Sequence, residues 1–453
     1  MFLRRWLWIL PVASMLISFS SSARAQGMFY VEVKKENTIY VFNQMKAYKD
    51  FQENGQFMPQ IMHAGAGPNG ETLIFDSNEA INLYNFKHDI PGEVIEPAVS
   101  GATTTTPETQ EKLPYRFSGL MFGDYFYNTQ RDDNIGSLPN VATGGAKDLN
   151  GFQFRRVYFT FDDDLSKAFT TRFRLEADQA ALSSNGKISV FVKDAYLQWK
   201  KAFAMSDLVF GMQPTPAFDV SEGAWGFRSL EKTIMDLRGI VPSRDLAFAV
   251  KGKLDEAGKY NYWVMVGNGS GNSPETDKFK RAYFHFRWIP TSRVQFTAYQ
   301  DIKAAPDITN PNNGSTLGND SFTTAFFAAY SQKDKYSVGG ETFFTTAQNG
   351  IATGVAPNIT FDSKKTLGIS GWAWYQFTSR VGLVGRYDHF DPNTNSAAKG
   401  DARELFIGAL FLKPYKNIYI MPNVETESYQ KLPGGPSIKT CITPRITWYW
   451  VFP

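Results

Sequence analysis

The chain has 453 residues with 47 Lys plus Arg against 44 Asp plus Glu, a balance that lacks the basic excess of a nucleic-acid binder. Mean hydropathy is -0.31 and no apolar run past the N-terminus approaches the roughly 20 residues of a spanning helix, which excludes a helical membrane protein. Only one cysteine is present, Cys441, so no internal disulfide holds the fold.

The first residues carry Arg4 and Arg5, then an apolar run from Trp6 to about Phe19, then small residues ending Ala23-Arg24-Ala25 before Gln26. That order predicts a secretory signal peptide over 1–25. An uncleaved anchor is the alternative, although the run is short for a span. No cysteine stands near the cleavage point for a lipid. Removing Arg4, Arg5 and Arg24 leaves 44 basic against 44 acidic residues, so the mature chain reads as nearly neutral.

Residues 26–89 read as a small α/β module, with a strand over 38–42, a helix over 44–54 and a β-rich stretch over 60–75. Asn78 is expected to cap a helix running to about His88. The glycines at Gly65, Gly67 and Gly70 match neither GxxxxGK[ST] nor a dinucleotide spacing and predict a tight turn at Pro68-Asn69-Gly70. Residues 90–114, with Pro91, Pro97, Pro107, Pro114 and a run of threonines, read as a flexible linker.

From 115 to 453 the period is two. In one arm of a hairpin Val157, Phe159 and Phe161 alternate with Arg156, Tyr158 and Thr160. In the other Phe169, Phe173, Leu175 and Ala177 alternate with Thr170, Arg172, Arg174, Glu176 and Asp178. One face is apolar and the other charged. Similar runs fall at 115–127, 151–162, 168–179, 188–201, 204–213, 244–254, 259–269, 278–288, 292–302, 320–332, 335–345, 366–377, 380–390, 402–412, 416–425 and 440–452. These are about 16 strands, each near the roughly 10 residues that cross a bilayer at a tilt. Phasing over 259–269 stays open, because Tyr260, Tyr262, Val264 and Val266 compete with Trp263 and Met265 for the lipid face.

The connections alternate in length. Short turns at Asp162 to Lys167, Asp255 to Gly258, Pro290 to Ser292, Gln332 to Lys335, Thr378-Ser379 and Lys413 to Lys416 separate long polar loops at 303–319, 346–365, 391–401 and 426–439. This parity belongs to outer-membrane barrels and has no reason to arise in a soluble sandwich. Lipid also demands a closed sheet with no open edge. The fold class read here is therefore all-β, a transmembrane antiparallel β-barrel of about 16 strands preceded by a periplasmic α/β module. Ile446, Trp448, Trp450 and Phe452 share one face of the last strand, which resembles the signal taken by barrel-assembly machinery.

Short stretches in order along the chain resemble the phosphate-selective porin O and P family: Gly151 to Phe161, Lys193 to Trp199, Phe210-Gly211-Met212-Gln213-Pro214, Arg244-Asp245-Leu246 and Gly385-Arg386-Tyr387-Asp388. The resemblance implies a homotrimeric channel in the outer membrane of a Gram-negative-type bacterium, with the loop 214–243 folded into the pore.

On the polar strand faces lie Arg156, Arg172, Arg174, Glu176, Asp178, Arg281, His285, Arg287, Arg293 and Arg386, expected to line an aqueous lumen. The arginines either favour anions or pair with neighbouring acids. In the loop, Ser229 is expected to cap a short helix carrying Leu230, Ile234 and Leu237, with Lys232 and Asp236 at i,i+4 spacing and Gly239 beyond it. Arg228, Lys232 and Arg238 are offset there by Glu222, Glu231 and Asp236, a departure from a cation-rich phosphate filter. The four histidines, His63, His88, His285 and His389, have no metal spacing, and no catalytic set or cofactor site is read. The function expected is passive diffusion of small hydrophilic solutes or anions. The alternative is a structural or adhesive protein whose N-terminal module grips peptidoglycan.

Overall fold

The computed structural model describes residues 29–55, 61–88, 115–133, 145–395, 400–431, 433–435 and 437–452. The signal segment 1–25 and the linker 90–114 lie outside the described residues. Two compact units are distinguished, Met1–Gln110 and Glu111–Pro453.

In the first unit, alternation of Ile39 and Val41 with Tyr40 and Phe42 gives a strand with two apolar faces, so it sits inside a sheet. The elements are β1 (Val31–Lys35), β2 (Thr38–Phe42), α1 (Met45–Asn54), β3 (Ile61–His63), β4 (Thr72–Phe75) and α2 (Asn78–Lys87), with sheet order β1-β2-β4-β3. The pair β2–β4 is parallel, and Ile39, Val41, Leu73, Phe75, Ala80 and Tyr84 form its core. The cap of α2 is Ser77, one residue before the expected Asn78, and its side chain accepts the Ala80 N–H at 3.0 Å. The glycine-rich stretch is a turn, with Gly67 N–H donating to the Glu71 carbonyl at 2.9 Å and Gly70 at φ 82°.

The second unit holds β5 (Tyr115–Tyr127), β6 (Asn150–Asp163), β7 (Phe169–Leu182), β8 (Ile188–Phe203), β9 (Ser206–Pro214), α3 (Asp219–Trp225), α4 (Ile234–Leu237), β10 (Arg244–Lys253), β11 (Tyr260–Gly267), β12 (Arg281–Thr291) and β13 (Val294–Lys303). It continues through β14 (Ile308–Thr309), β15 (Thr316–Leu317), β16 (Ser321–Gln332), β17 (Tyr336–Thr353), β18 (Thr360–Gln376), β19 (Val381–Asp391), β20 (Arg403–Tyr415), β21 (Ile418–Tyr429) and β22 (Cys441–Phe452). The short pair β14–β15 is a separate two-stranded ribbon; the other strands close into one barrel of 16, each antiparallel to its neighbours. Every window read as a strand between 115 and 453 overlaps one of these barrel strands.

Closure joins β22 to β5, from Arg445 opposite Phe126 to Phe452 opposite Gly119. At this seam the ring of Phe452 covers Gly119 and the ring of Trp448 covers Gly123, where a Cβ would collide with them. The exterior is apolar, carrying Phe159, Phe210, Phe248, Phe286, Phe326, Phe406 and Ile446. In β11 the open phasing resolves: Val264 and Val266 are exposed whereas Met265 is buried.

One loop expectation is corrected. Residues 346–365 are mostly strand, because β17 runs to Thr353 and β18 begins at Thr360. A register shift between Ala347 and Ile351 breaks the alternation that would have revealed it.

Candidate functional site

Pro214 ends β9, and Thr215 ties the base of the following loop by donating its hydroxyl to the Pro242 carbonyl at 2.7 Å. Loop residues then carry Phe218, Ala224, Trp225, Phe227, Leu230, Ile234, Met235 and Val241, all buried. A segment this apolar leaves water. It packs inside the barrel on inward residues of the wall, Trp225 and Phe227 against Phe327, Trp372, Leu405, Ile407 and Phe411, and Ile234 and Met235 against Ala247, Met265 and Phe343. The expectation of uniformly polar inner faces is thus corrected. Strands β16–β21 turn apolar side chains inward because the loop covers them.

The helix expected from Ser229 is also revised. Two short helices form, and the second, α4, starts only at Ile234 after Thr233. Ser229 has no capping role, and its carbonyl accepts from Arg155 Nη1 at 3.1 Å. Lys232 Nζ stands 3.9 Å from Asp236, which pairs more closely with Arg228 at 2.8 Å. Arg228 also pairs with Glu222. Gly239 follows α4 at φ 64°.

Wall arginines fasten this loop. Arg155 donates to the Leu230 carbonyl at 2.5 Å and to Glu231 at 2.9 Å, with Asp124 at 3.6 Å. Arg386 grips Asp388 through two bonds of 2.8 and 2.5 Å, donates to the Lys232 carbonyl, and lies 5.3 Å over the Trp225 ring. On the other mouth's side Arg238 reaches Glu427 at 2.8 Å. Glu341 accepts the Ile234 N–H at 3.1 Å. Each bond satisfies a loop backbone or carboxylate group that burial would otherwise strand.

The charged ladder on β6–β8 is ion-paired along its length, with Glu176 and Asp194 each shared by two cations. Arg156 pairs with Glu176 and stands 3.9 Å from Asp178. Glu176 also takes Lys193 at 2.9 Å. Arg174 meets Asp194 at 3.2 Å, where Arg244 joins it. Arg172 holds Asp162 by two bonds of 2.6 and 3.0 Å.

The remaining residues singled out from sequence disperse. Arg281 is buried against Asp301 at 2.8 Å, so it faces no open water. The same holds for Arg386, only 2% exposed. Arg287 donates to Gln295 at 2.6 Å. His285 lies beneath the start of the loop beside Phe218 and Tyr299. Arg293 falls in the turn between β12 and β13 and is exposed, a correction to its expected place on the strand face.

Two residues not assigned to the lumen from the sequence matter most. Arg155 and Lys193 occupy register shifts, between Phe122/Gly123 on β5–β6 and between Arg174/Leu175 on β7–β8. A bulge sends two successive residues inward, which strict alternation assigns to lipid.

Two cavities flank the loop. One of about 730 Å³ lies toward the long-loop mouth and is lined by Arg131, Arg238, Lys364, Arg403 and Arg445 against Glu425 and Glu427. The other, about 590 Å³, reaches the short turns at Ser292 and Lys333 and is lined by aromatic and uncharged polar side chains together with three cations, Arg287, Lys333 and Lys413, and two carboxylates, Asp219 and Asp334.

No protein-family model and no curated protein sequence matches the chain. Among solved structures, the chain is similar to the outer membrane channel DcaP of Acinetobacter baumannii, at 12% identity and TM-score 0.53 over 75% of this chain and 97% of that one. It is likewise similar to OmpF of Salmonella typhi, at 12% identity and TM-score 0.51 over 75% and 97%. A third is the anion-selective porin from Comamonas acidovorans, at 11% identity and TM-score 0.50 over 75% and 99%. Likeness at this identity establishes a porin-type barrel fold.

Proposed function

We propose that the chain is an outer-membrane porin, forming a water-filled passage through which small hydrophilic solutes diffuse passively, with a preference for anions. The observation that carries this reading is the lumen itself: an apolar exterior encloses an inward-folded loop with a solvent cavity at each mouth. Anion preference rests on the long-loop cavity, where five cations face two carboxylates. The wall ladder supplies less, since its five cations Arg156, Arg172, Arg174, Lys193 and Arg244 are set against the four carboxylates Asp162, Glu176, Asp178 and Asp194. In this reading β-strand exteriors meet outer-membrane lipid, barrel-assembly machinery inserts the chain, three copies associate, and the N-terminal module stands in the periplasm.

Purified protein in planar bilayers is expected to give stepwise conductance, and a folded but silent protein would defeat the channel. In a salt gradient the reversal potential is expected to favour chloride, and Arg131→Ala with Lys364→Ala to reduce that bias. An unchanged reversal potential would remove the anion preference and leave the channel standing.

A further inference from the structure

We propose that the cavity toward the short turns is a binding subsite for a neutral polyhydroxylated ring, a sugar of one or two units, reached from within the channel. The inference rests on the channel reading above and goes beyond it to name a solute class.

The cavity is built on rings. Phe227, Trp374, Phe411, Tyr419 and Tyr449 all line it, at centroid distances of 5.8 Å for Phe227–Trp374, 5.1 Å for Phe227–Phe411 and 5.4 Å for Tyr419–Tyr449; Phe227 and Phe411 are buried as support, and Trp374, Tyr419 and Tyr449 are the rings left partly exposed. Aromatic faces are apolar, with a weak negative potential. The C–H face of a sugar ring fits such a surface, whereas an anion is repelled by it. A cation finds the place taken: Lys413 already lies 5.0 Å over Tyr419 and 5.8 Å over Phe411.

Donors are arranged around the rings. Lys413 donates to Gln376 Oε1 at 2.9 Å and Arg287 to Gln295 Oε1 at 2.6 Å. With their oxygens so engaged, both amides keep N–H groups to donate. Such groups are costly when left unpaired. A planar apolar solute would stack but leave every one of them unsatisfied, while the hydroxyls of a sugar answer both needs. The volume, about 590 Å³, falls within the roughly 300–1,000 Å³ of small-molecule sites.

The test uses the full-length protein in planar bilayers with maltose as the probe and benzyl alcohol as a planar apolar comparator. Maltose is expected to interrupt the ion current with saturating, concentration-dependent noise. Trp374→Ala is expected to raise the half-blocking concentration about tenfold, the scale of one lost aromatic contact. Gln376→Leu is expected to raise it several-fold, and Trp374→Phe to fall between wild type and Trp374→Ala. Open channels that ignore maltose, or that benzyl alcohol blocks equally well, overturn the proposal while leaving the channel reading intact. If the protein is silent, the channel reading fails, and binding is read from tryptophan fluorescence in detergent. A maltose-dependent change abolished in Trp374→Ala then supports the subsite, and no change overturns it.

Discussion

The two sides of the barrel interior hold their contents by opposite means. On β6–β8 the inward row is charged and spends its charge on neighbours within the wall, as in Arg172 with Asp162 and Arg174 with Asp194. On β16–β21 the inward row sets apolar rings among a few charged latches and bears a folded loop, with Trp225 wholly buried against Trp372 at 5.9 Å. Hydrophobic contact immobilises a segment without directional bonds, while carbonyl latches from Arg155 and Arg386 set its register. A lumen therefore combines an ion-paired surface beside water with a dry seat for its own obstruction.

The largest expected effect breaks the apolar side. Trp225→Ala removes a fully buried ring, a change of the order of 3–5 kcal/mol. The loop is expected to loosen, raising single-channel conductance and its noise, and an unaltered conductance would show that the loop does not set the passage. The charged side should answer weakly. Arg172 and Asp162 are partly exposed, so Arg172→Met is expected to shift urea unfolding of the barrel by about 0–1 kcal/mol. A loss as large as that of Trp225→Ala would erase the distinction between the two sides. The N-terminal module sharpens it with a pairing that pH can remove. Glu71, which accepts from Lys34 at 2.5 Å and from the Asn69 N–H at 2.8 Å, has its carboxyl held down from 4.5 to about 2, chiefly by the Lys34 bond. A depressed carboxyl stabilises the fold above the unfolded value and ceases to do so as pH falls through the folded one. Amide protection in β2 and β4 of the full chain is expected to decline between pH 4.5 and about 2, and Glu71→Gln to flatten that decline.

The strands were legible because lipid imposes a strict rule: Phe159, Phe286 and Phe406 face outward and every second residue must be apolar there. No comparable rule governs the interior. Phe327, Trp372 and Phe411 read as ordinary strand aromatics until the loop they support is in view. Arg155 and Lys193 escaped because a bulge shifts the period by one, and the only sign of it is a second charge beside Arg156 and beside Asp194. The loop's inward course had a visible sign in its own apolar residues, yet α4 begins four residues after Leu230. Local capping chemistry at Ser229 was outweighed by the arginine that takes its carbonyl.

The seam between β22 and β5 carries a further consequence. Phe452 over Gly119 and Trp448 over Gly123 form two teeth four residues apart that engage two notches. A slip by two residues would carry Trp448 onto Met121 or Tyr125 and bring Ile446 or Trp450 over Gly123 instead, so the observed alignment alone seats both Trp448 and Phe452 on glycines. The barrel thus carries part of its own gauge for closing in the two ring-over-glycine contacts of its seam.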